Sequence, residues 1–202
     1  MKRILWMVLL ALALPMAAFA SSSIDFTNSG GALTGSSAGF SLSGSALIAV
    51  NGLNGMGLVT GTNLGSVSFS TGSMTSGTLQ MGGTFAAGGT FTITGNGTNG
   101  IPNGTLFTGT FSGPVTWTWI QLANGTNNYT LSGSISGTWM GGGTVNGAVV
   151  QLTINTGKGF FNGATTISSG DTNLVVPEPG SLTLLGTGLV GLAGILRKKL
   201  KA

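Results

Sequence analysis

Alternation of apolar and hydroxyl-bearing side chains is the feature that most restricts how this sequence can fold. Phe91 and Ile93 alternate with threonines, and Val115 and Trp117 lie on the opposite side of their segment from Thr116. A period of two sends one set of side chains to a core and the other to water, as in an antiparallel sheet. The middle of the chain shows no convincing 3.6-residue periodicity of an amphipathic helix. The sequence therefore predicts an all-β body.

Turn chemistry supports the same class of fold. Asn-Gly pairs, which tolerate the positive φ of tight hairpins, recur between the alternating segments. They begin at Asn51, Asn54, Asn96, Asn99, Asn103, Asn124, Asn146 and Asn162. We predict an antiparallel β-sandwich or flattened barrel. An irregular β-helix is the alternative, because Gly-Thr-apolar triplets recur without the fixed period of a solenoid. The stretch from residue 29 to residue 65 alternates least and is expected to be partly irregular.

The N-terminal segment has the three parts of a secretory signal peptide. Lys2 and Arg3 precede an apolar run, and Ala18 and Ala20 form an A-x-A cleavage site. The run is too short to span about 30 Å of hydrocarbon, so a permanent anchor is the weaker interpretation. We predict that residues 1–20 form a signal helix, that the secretion machinery is the first partner, and that the body is exported.

The C-terminal segment also has three parts in a fixed order. The triplet Pro177, Glu178 and Pro179 comes first, an apolar stretch expected to be a transmembrane helix over residues 182–196 follows, and Arg197, Lys198 and Lys199 come near the end. Basic residues resist translocation, so this end is expected to stay in the cytoplasm while the body lies across the membrane. The apolar stretch is short for a permanent span, which predicts a transient anchor.

These three parts resemble the PEP-CTERM sorting domain of Gram-negative bacteria, over residues 176–202. The resemblance implies a partner, an exosortase, which is a membrane-embedded cysteine protease or transpeptidase. It implies that Pro177, Glu178 and Pro179 are the recognition residues and that Arg197, Lys198 and Lys199 are the membrane stop. The family occurs in bacteria that make exopolysaccharide and biofilm matrix. The implied location is the inner membrane during sorting, and then the cell surface or the medium.

Charge is concentrated at the two ends, which leaves residues 21–175 as a nearly neutral body. The chain has 7 Lys and Arg and 3 Asp and Glu, but the body keeps only Asp25, Lys158 and Asp171. A nucleic-acid partner is excluded, because phosphate contacts need basic residues spread over a face. The chain has no histidine and no cysteine, and Asp25 and Asp171 lie near opposite ends of the body. We therefore expect no enzyme, no catalytic residues, no metal site and no cofactor.

Binding and structure remain as functions. Aromatic side chains cluster at Trp117, Trp119, Tyr129 and Trp139. They are candidate carbohydrate-binding residues if exposed, although aromatic residues on alternating strands also serve simply as core. We expect a structural surface or matrix protein associated with exopolysaccharide or biofilm. The alternatives are a carbohydrate-binding module that uses these aromatics and a self-assembling β-rich adhesin, because uncharged strands lack the charges that discourage edge-to-edge pairing.

Overall fold

Antiparallel strands make up most of the described chain. The computed structural model of the protein describes residues 22–176, of which Ser23–Val176 form one compact unit. The strands are β1 (Ser22–Ser29), β2 (Ala32–Ser36), β3 (Gly39–Asn51), β4 (Val59–Ser70), β5 (Met74–Thr78), β6 (Gly82–Phe85), β7 (Gly88–Asn96), β8 (Asn103–Phe111), β9 (Val115–Gln121), β10 (Asn127–Trp139), β11 (Thr144–Asn155), β12 (Ala164–Thr166) and β13 (Ser169–Val176). A single turn of 3-10 helix, Leu53–Gly55, follows β3. The prediction of an all-β body is confirmed.

Eight of these strands close into an antiparallel barrel. Their order around the ring is β11-β13-β1-β3-β4-β7-β8-β10, and the pairing of β10 with β11 closes it. Of the two predicted shapes, the structure has the barrel. The alternative of an irregular β-helix is wrong, because the strands pair with antiparallel neighbours in a ring instead of coiling in one direction.

The remaining strands extend the barrel at β10 and β3. Residues 127–132 of β10 pair with β9, whereas residues 135–139 pair with β8, so β10 changes its neighbour near its middle. Strands β6 and β5 continue the sheet beyond β9, and β2 and β12 continue it beyond β3. This change of neighbour leaves space between the end of β8 and the start of β9, where a surface groove described below is found.

Aromatic side chains fill the core in two groups. The phenylalanine cluster consists of Phe69, Phe91, Phe107 and Phe111, with ring centroids 5.7–6.2 Å apart. The mixed aromatic cluster consists of Phe40, Phe85, Trp117, Tyr129 and Phe161, with centroids 4.6–6.2 Å apart. Tilted and edge-on rings at these distances attract one another beyond the burial of their surface. Both clusters are buried, as the alternating pattern requires.

The stretch from residue 29 to residue 65, expected to be partly irregular, contains β2, β3 and the first part of β4. Its alternation is hidden by β-bulges. Phe40 and Leu42 point inward on β3, after which the register with β4 shifts before Ser45. A second irregularity precedes the inward-facing Val50. Each extra residue reverses which positions face the core. The strand is thus continuous although its period of two is not.

The predictions for the two ends of the chain concern residues 1–20 and 176–202, of which Val176 alone lies in the described part. Within residues 22–176 there is no helix with the length and hydropathy of a membrane span.

Candidate functional site

The four aromatic residues predicted as a sugar platform are divided between the core and the surface. Trp117 is 1% exposed and Tyr129 is 0% exposed, and their rings stack with centroids 4.8 Å apart and planes 13° apart. Phe40 and Phe161 pack against the same pair. Neither Trp117 nor Tyr129 therefore has a ring face open to a ligand in this structure.

Hydrogen bonds fix this buried pair to two loops. The Trp117 indole N–H donates to the carbonyl of Leu79 at 2.8 Å. The Tyr129 hydroxyl donates to the carbonyl of Gln80 at 2.8 Å and accepts from the backbone N–H of Phe161 at 3.1 Å. Buried Trp and Tyr residues usually find such partners for their polar atoms. Both side chains therefore anchor the β5–β6 turn to the core, and Tyr129 also anchors the loop that follows β11.

Trp119 is the candidate that reaches the surface beside another aromatic ring. It is partly buried, and its indole N–H donates to Asn127 Oδ1 at 2.9 Å. Its ring centroid lies 5.9 Å from that of Phe160, which is 48% exposed. We call Trp119 and Phe160 the aromatic rim. Phe160 is not among the predicted site residues, because it lies in the loop after β11, far along the chain from the predicted aromatic cluster.

Trp139 is also partly buried but lies apart from the rim. It ends β10, whereas Trp119 pairs with Tyr129 near the start of that strand. Ten residues of β-strand separate the two positions along β10, which corresponds to about 33 Å. The indole of Trp139 instead packs over Gly141 and Gly143 in the turn after β10. The four predicted residues therefore do not form one platform.

Asp25 and Asp171, which lie near opposite ends of the body in the sequence, are neighbours in space. Ser23 on β1 and Asn173 on β13 are joined by a 3.0 Å hydrogen bond from the Asn173 amide to the Ser23 hydroxyl. Two residues further along these strands, Asp25 and Asp171 interact. The pKa of Asp25 is raised above its usual 3.8 by partial burial and then by the negative charge of Asp171, while a hydrogen bond from Asn173 acts in the opposite direction.

This carboxylate pair has little chemistry around it. Over residues 22–176, no three His, Cys, Asp or Glu side chains lie close enough together to hold a metal ion. The strand positions next to the pair carry Asn51, opposite Asp25, and Gln151, opposite Asp171. Neither amide can act as a general acid or base at ordinary pH.

A shallow groove of about 280 Å³ lies where β10 changes its neighbour. It is lined by Pro114, Thr116, Ser132, Gly133, Ser134 and Val149. Thr116 and Ser132 are cross-strand partners on β9 and β10, and Ser134 faces Val149 across β10 and β11. The lining combines three hydroxyl side chains with Pro114, Gly133 and Val149, and it carries no charge. Alternation alone did not predict it, because it depends on which strands meet at β10.

The comparison with known protein families concerns the end of the chain. Residues 175–198 match the family model of the PEP-CTERM protein-sorting motif. No curated protein and no solved structure matches the chain. The body and tail together thus define a β-barrel protein that carries a C-terminal sorting signal. That signal is a PEP-CTERM motif, which implies an exported protein whose sorting partner is an exosortase.

The matched range contains most of the predicted tail residues. Pro177, Glu178 and Pro179 fall inside it, as do Arg197 and Lys198, whereas Lys199 follows it. The match begins on the last two residues of β13, Val175 and Val176. The tail residues themselves, and the predicted cleavage residues Ala18 and Ala20, lie outside the part of the chain that the structure describes.

Proposed function

We propose that this protein is a non-catalytic structural component of an extracellular matrix, delivered by exosortase-dependent sorting and associated with exopolysaccharide in a biofilm. The observation that carries the proposal is the outer face of the barrel, where hydroxyl and amide side chains predominate and Asp25 and Asp171 are the carboxylates among the described strands. The sorting motif supplies delivery, and this face supplies the contact with a hydrated neutral polymer.

Hydroxyl groups follow one another across the strands of this face. One row crosses β4, β7, β8, β10 and β11 through consecutive cross-strand pairs. It consists of Ser68, Thr92, Thr108, Thr138 and Thr144. Beside it, the Ser66 and Thr94 hydroxyls are hydrogen-bonded at 2.8 Å, and those of Ser70 and Thr90 at 3.2 Å. Each hydroxyl is both a donor and an acceptor, so such rows can exchange hydrogen bonds with sugar hydroxyls and water alike.

The absence of catalysis is proposed on chemical grounds. The sequence has no histidine or cysteine to act as a base or nucleophile. A serine without an adjacent base is a weak nucleophile at neutral pH. The carboxylate pair Asp25 and Asp171 is the remaining combination of acids in the body, and it has amide neighbours in place of further titrating groups.

Sorting and matrix retention are tested together in a bacterium with an active exosortase and an exopolysaccharide. We expect the full-length chain to lose the segment that contains residues 182–202 and to be recovered in the matrix fraction. The double variant Pro177→Ala/Pro179→Ala is expected to keep its tail and stay in the membrane fraction, while the control Pro102→Ala behaves as the unmodified chain. Intact mass and fractionation are the measurements.

Two results would contradict this proposal. One is an intact mass that still includes residues 182–202 when the sorting enzyme is active. The other is a processed body found entirely free in the medium while the polysaccharide stays on the cells.

Self-association is a second candidate function, favoured by one strand. Strand β5 ends the sheet and pairs with β6 alone among the described strands. Residues 75–78 are exposed, and no residue of β5 carries a charge. Proteins usually protect such edges with charged side chains, proline or a bulge, and here only a bulge, between Met74 and Ser76, is present. A second copy of the chain could therefore add its own edge to β5.

A further inference from the structure

The groove at the β9–β10 junction has hydroxyl groups without protein partners. Among the described residues, the side chains of Thr116, Ser132 and Ser134 make no hydrogen bond, whereas Ser66 and Thr94 on the barrel face are bonded to each other. Three unpaired hydroxyls on one concave surface offer donors and acceptors to a ligand in place of water. Unpaired hydroxyls also occur on the barrel face, at Ser68 and Thr108, so the groove is distinguished by the concave surface on which its three hydroxyls converge.

The remaining lining supplies apolar contact without charge. Pro114 lies on one side, and Val149, with 55% of its surface exposed, lies on the other. A sugar ring has hydroxyls at its edge and C–H groups on its faces, so it matches a surface with both kinds of group. None of the six lining residues is ionisable, so a charged ligand would lose water without gaining an opposite charge.

The groove lies on a polar row that continues on both sides. Consecutive cross-strand pairs link Thr84 on β6, Thr116 on β9, Ser132 on β10 and Gln151 on β11. Neighbouring strands are about 4.8 Å apart, so the row advances by about the length of one sugar ring per strand. The volume of about 280 Å³ is just below the range of drug-sized pockets. A groove of this volume can hold one or two sugar rings of a longer polysaccharide.

We propose that this groove binds a neutral polysaccharide laid across β6, β9, β10 and β11, with Thr116, Ser132 and Ser134 hydrogen-bonding its hydroxyls and Pro114 and Val149 contacting a ring face. The site differs from the aromatic platform predicted from the sequence. It rests on the proposed matrix function, which brings the body into contact with a polysaccharide.

The test uses the full-length chain purified in a mild detergent, with cellohexaose and maltohexaose as neutral probes and an oligouronate of equal length as the charged probe. We expect one neutral probe to bind and the oligouronate to bind more weakly. The variant Thr116→Val/Ser134→Ala removes two hydroxyls while nearly preserving shape. It should weaken binding of the neutral probe about ten-fold, the effect of losing one or two hydrogen bonds.

The control variant Ser43→Ala/Thr166→Val removes two exposed hydroxyls on β3 and β12, away from the groove and from the hydroxyl rows of the barrel face, and should leave affinity unchanged. Titration by NMR gives a second reading, because the methyl signals of Thr116 and Val149 should shift when the neutral probe binds. Equal melting temperatures for the two double variants establish that both are folded.

Four results would overturn the groove proposal: no binding of either neutral probe, equal loss in the control variant, equal or tighter binding of the oligouronate, or loss of binding on Trp119→Ala without loss in the groove variant. The last would place the sugar on the aromatic rim.

Tail removal measured on the same variants separates the two proposals. A processed chain that binds no probe refutes the groove alone, and a chain that keeps its tail contradicts the matrix function alone.

Discussion

Asp25 and Asp171 bring together two of the three charged side chains in the described body, and both are negative. Like charges close together on neighbouring strands repel one another and destabilise the folded protein. Partial burial of Asp25 adds to this cost, because its charged form loses water, and both effects raise its pKa. The pair therefore makes the barrel sensitive to pH although the molecule has few titrating groups.

We expect the free energy of unfolding to increase as pH is lowered from about 7 to about 4. A carboxyl group with a raised pKa binds more protons in the folded than in the unfolded protein, so protonation favours folding. This contribution is lost as pH rises from the unfolded value of 3.8 through the raised pKa of Asp25. Asp25→Asn should stabilise the protein at neutral pH by up to about 1 kcal/mol. It should also reduce the slope of the free energy of unfolding against pH.

Urea unfolding of the unmodified chain and of Asp25→Asn across this pH range is the measurement. Asp171→Asn should act in the same direction, because it removes the repelling charge. Lys158→Gln serves as the control and should not change the slope. Identical pH profiles for the unmodified chain and Asp25→Asn would show that the pKa of Asp25 is not raised in the folded protein.

At the scale of strands, paired glycines allow β8 and β10 to approach closely. Gly137 on β10 is the register partner of Gly109 on β8. A Cβ atom added to Gly137 would overlap the carbonyl oxygen of Thr108 and lie 2.5 Å from the Gly109 Cα. Because both obstacles are backbone atoms, the neighbouring strand would have to move. The glycine pair is thus a steric requirement of this part of the barrel.

Gly137→Ala is expected to reduce the free energy of unfolding by about 1–3 kcal/mol, the usual cost of overpacking. Gly113→Ala is the matched control, because a Cβ atom at Gly113 meets nothing within 4 Å. Its effect should stay within about 0.5 kcal/mol. Denaturant unfolding of both variants is the measurement. Equal stabilities would mean that β8 and β10 accommodate the added methyl group at no cost in free energy, which would contradict the prediction.

Alternation predicted individual strands well where they are regular and poorly where they are bulged. The inward positions of β7 and β9, such as Phe91, Ile93 and Trp117, follow from the period of two. Strand β3 hides its period because residues are inserted at bulges, one of them next to Gly44, whose φ is +66°. A bulge depends on the partner strand as much as on the local residues, so the local pattern does not locate it.

The candidate sites were harder to predict than the strands. Whether an aromatic residue is core or surface depends on its place along a strand: Trp117 and Trp119 point the same way, but the second lies nearer the end of β9 and reaches the rim. The meeting of Asp25 with Asp171 and the groove at β10 both arise from pairings between distant segments. Such pairings depend on how the whole ring closes, and the local alternation of residues does not predict how distant segments pair.

At the scale of the whole molecule, the barrel has no free edge within its ring, but its extensions do. Strand β5 is the exposed, uncharged edge described above, whereas β4 is paired on both sides, with β3 and β7. If copies of the chain associate, contact through β5 would extend a continuous sheet from one molecule to the next.

Ser76→Lys should therefore suppress concentration-dependent association, because a charge on an edge strand opposes pairing with another strand. Sedimentation velocity of the full-length chain in mild detergent is the measurement, with the unmodified chain shifting to larger species as concentration rises. Ser68→Lys is the control, because it places the same charge on β4, where both strand edges are occupied. Equal association of the unmodified chain and Ser76→Lys would exclude β5 as the contact.

The first and last described strands, β1 and β13, are neighbours in the ring. If the chain crosses a membrane with its N-terminus leading, β1 emerges early and β13 emerges last. The pairing of β1 with β13 therefore cannot be completed until residue 176 has emerged. Folding on the far side would then be completed only when the tail itself arrives at the membrane. The timing of ring closure would be coupled to translocation, and removal of the tail afterwards would leave every strand of the ring in place.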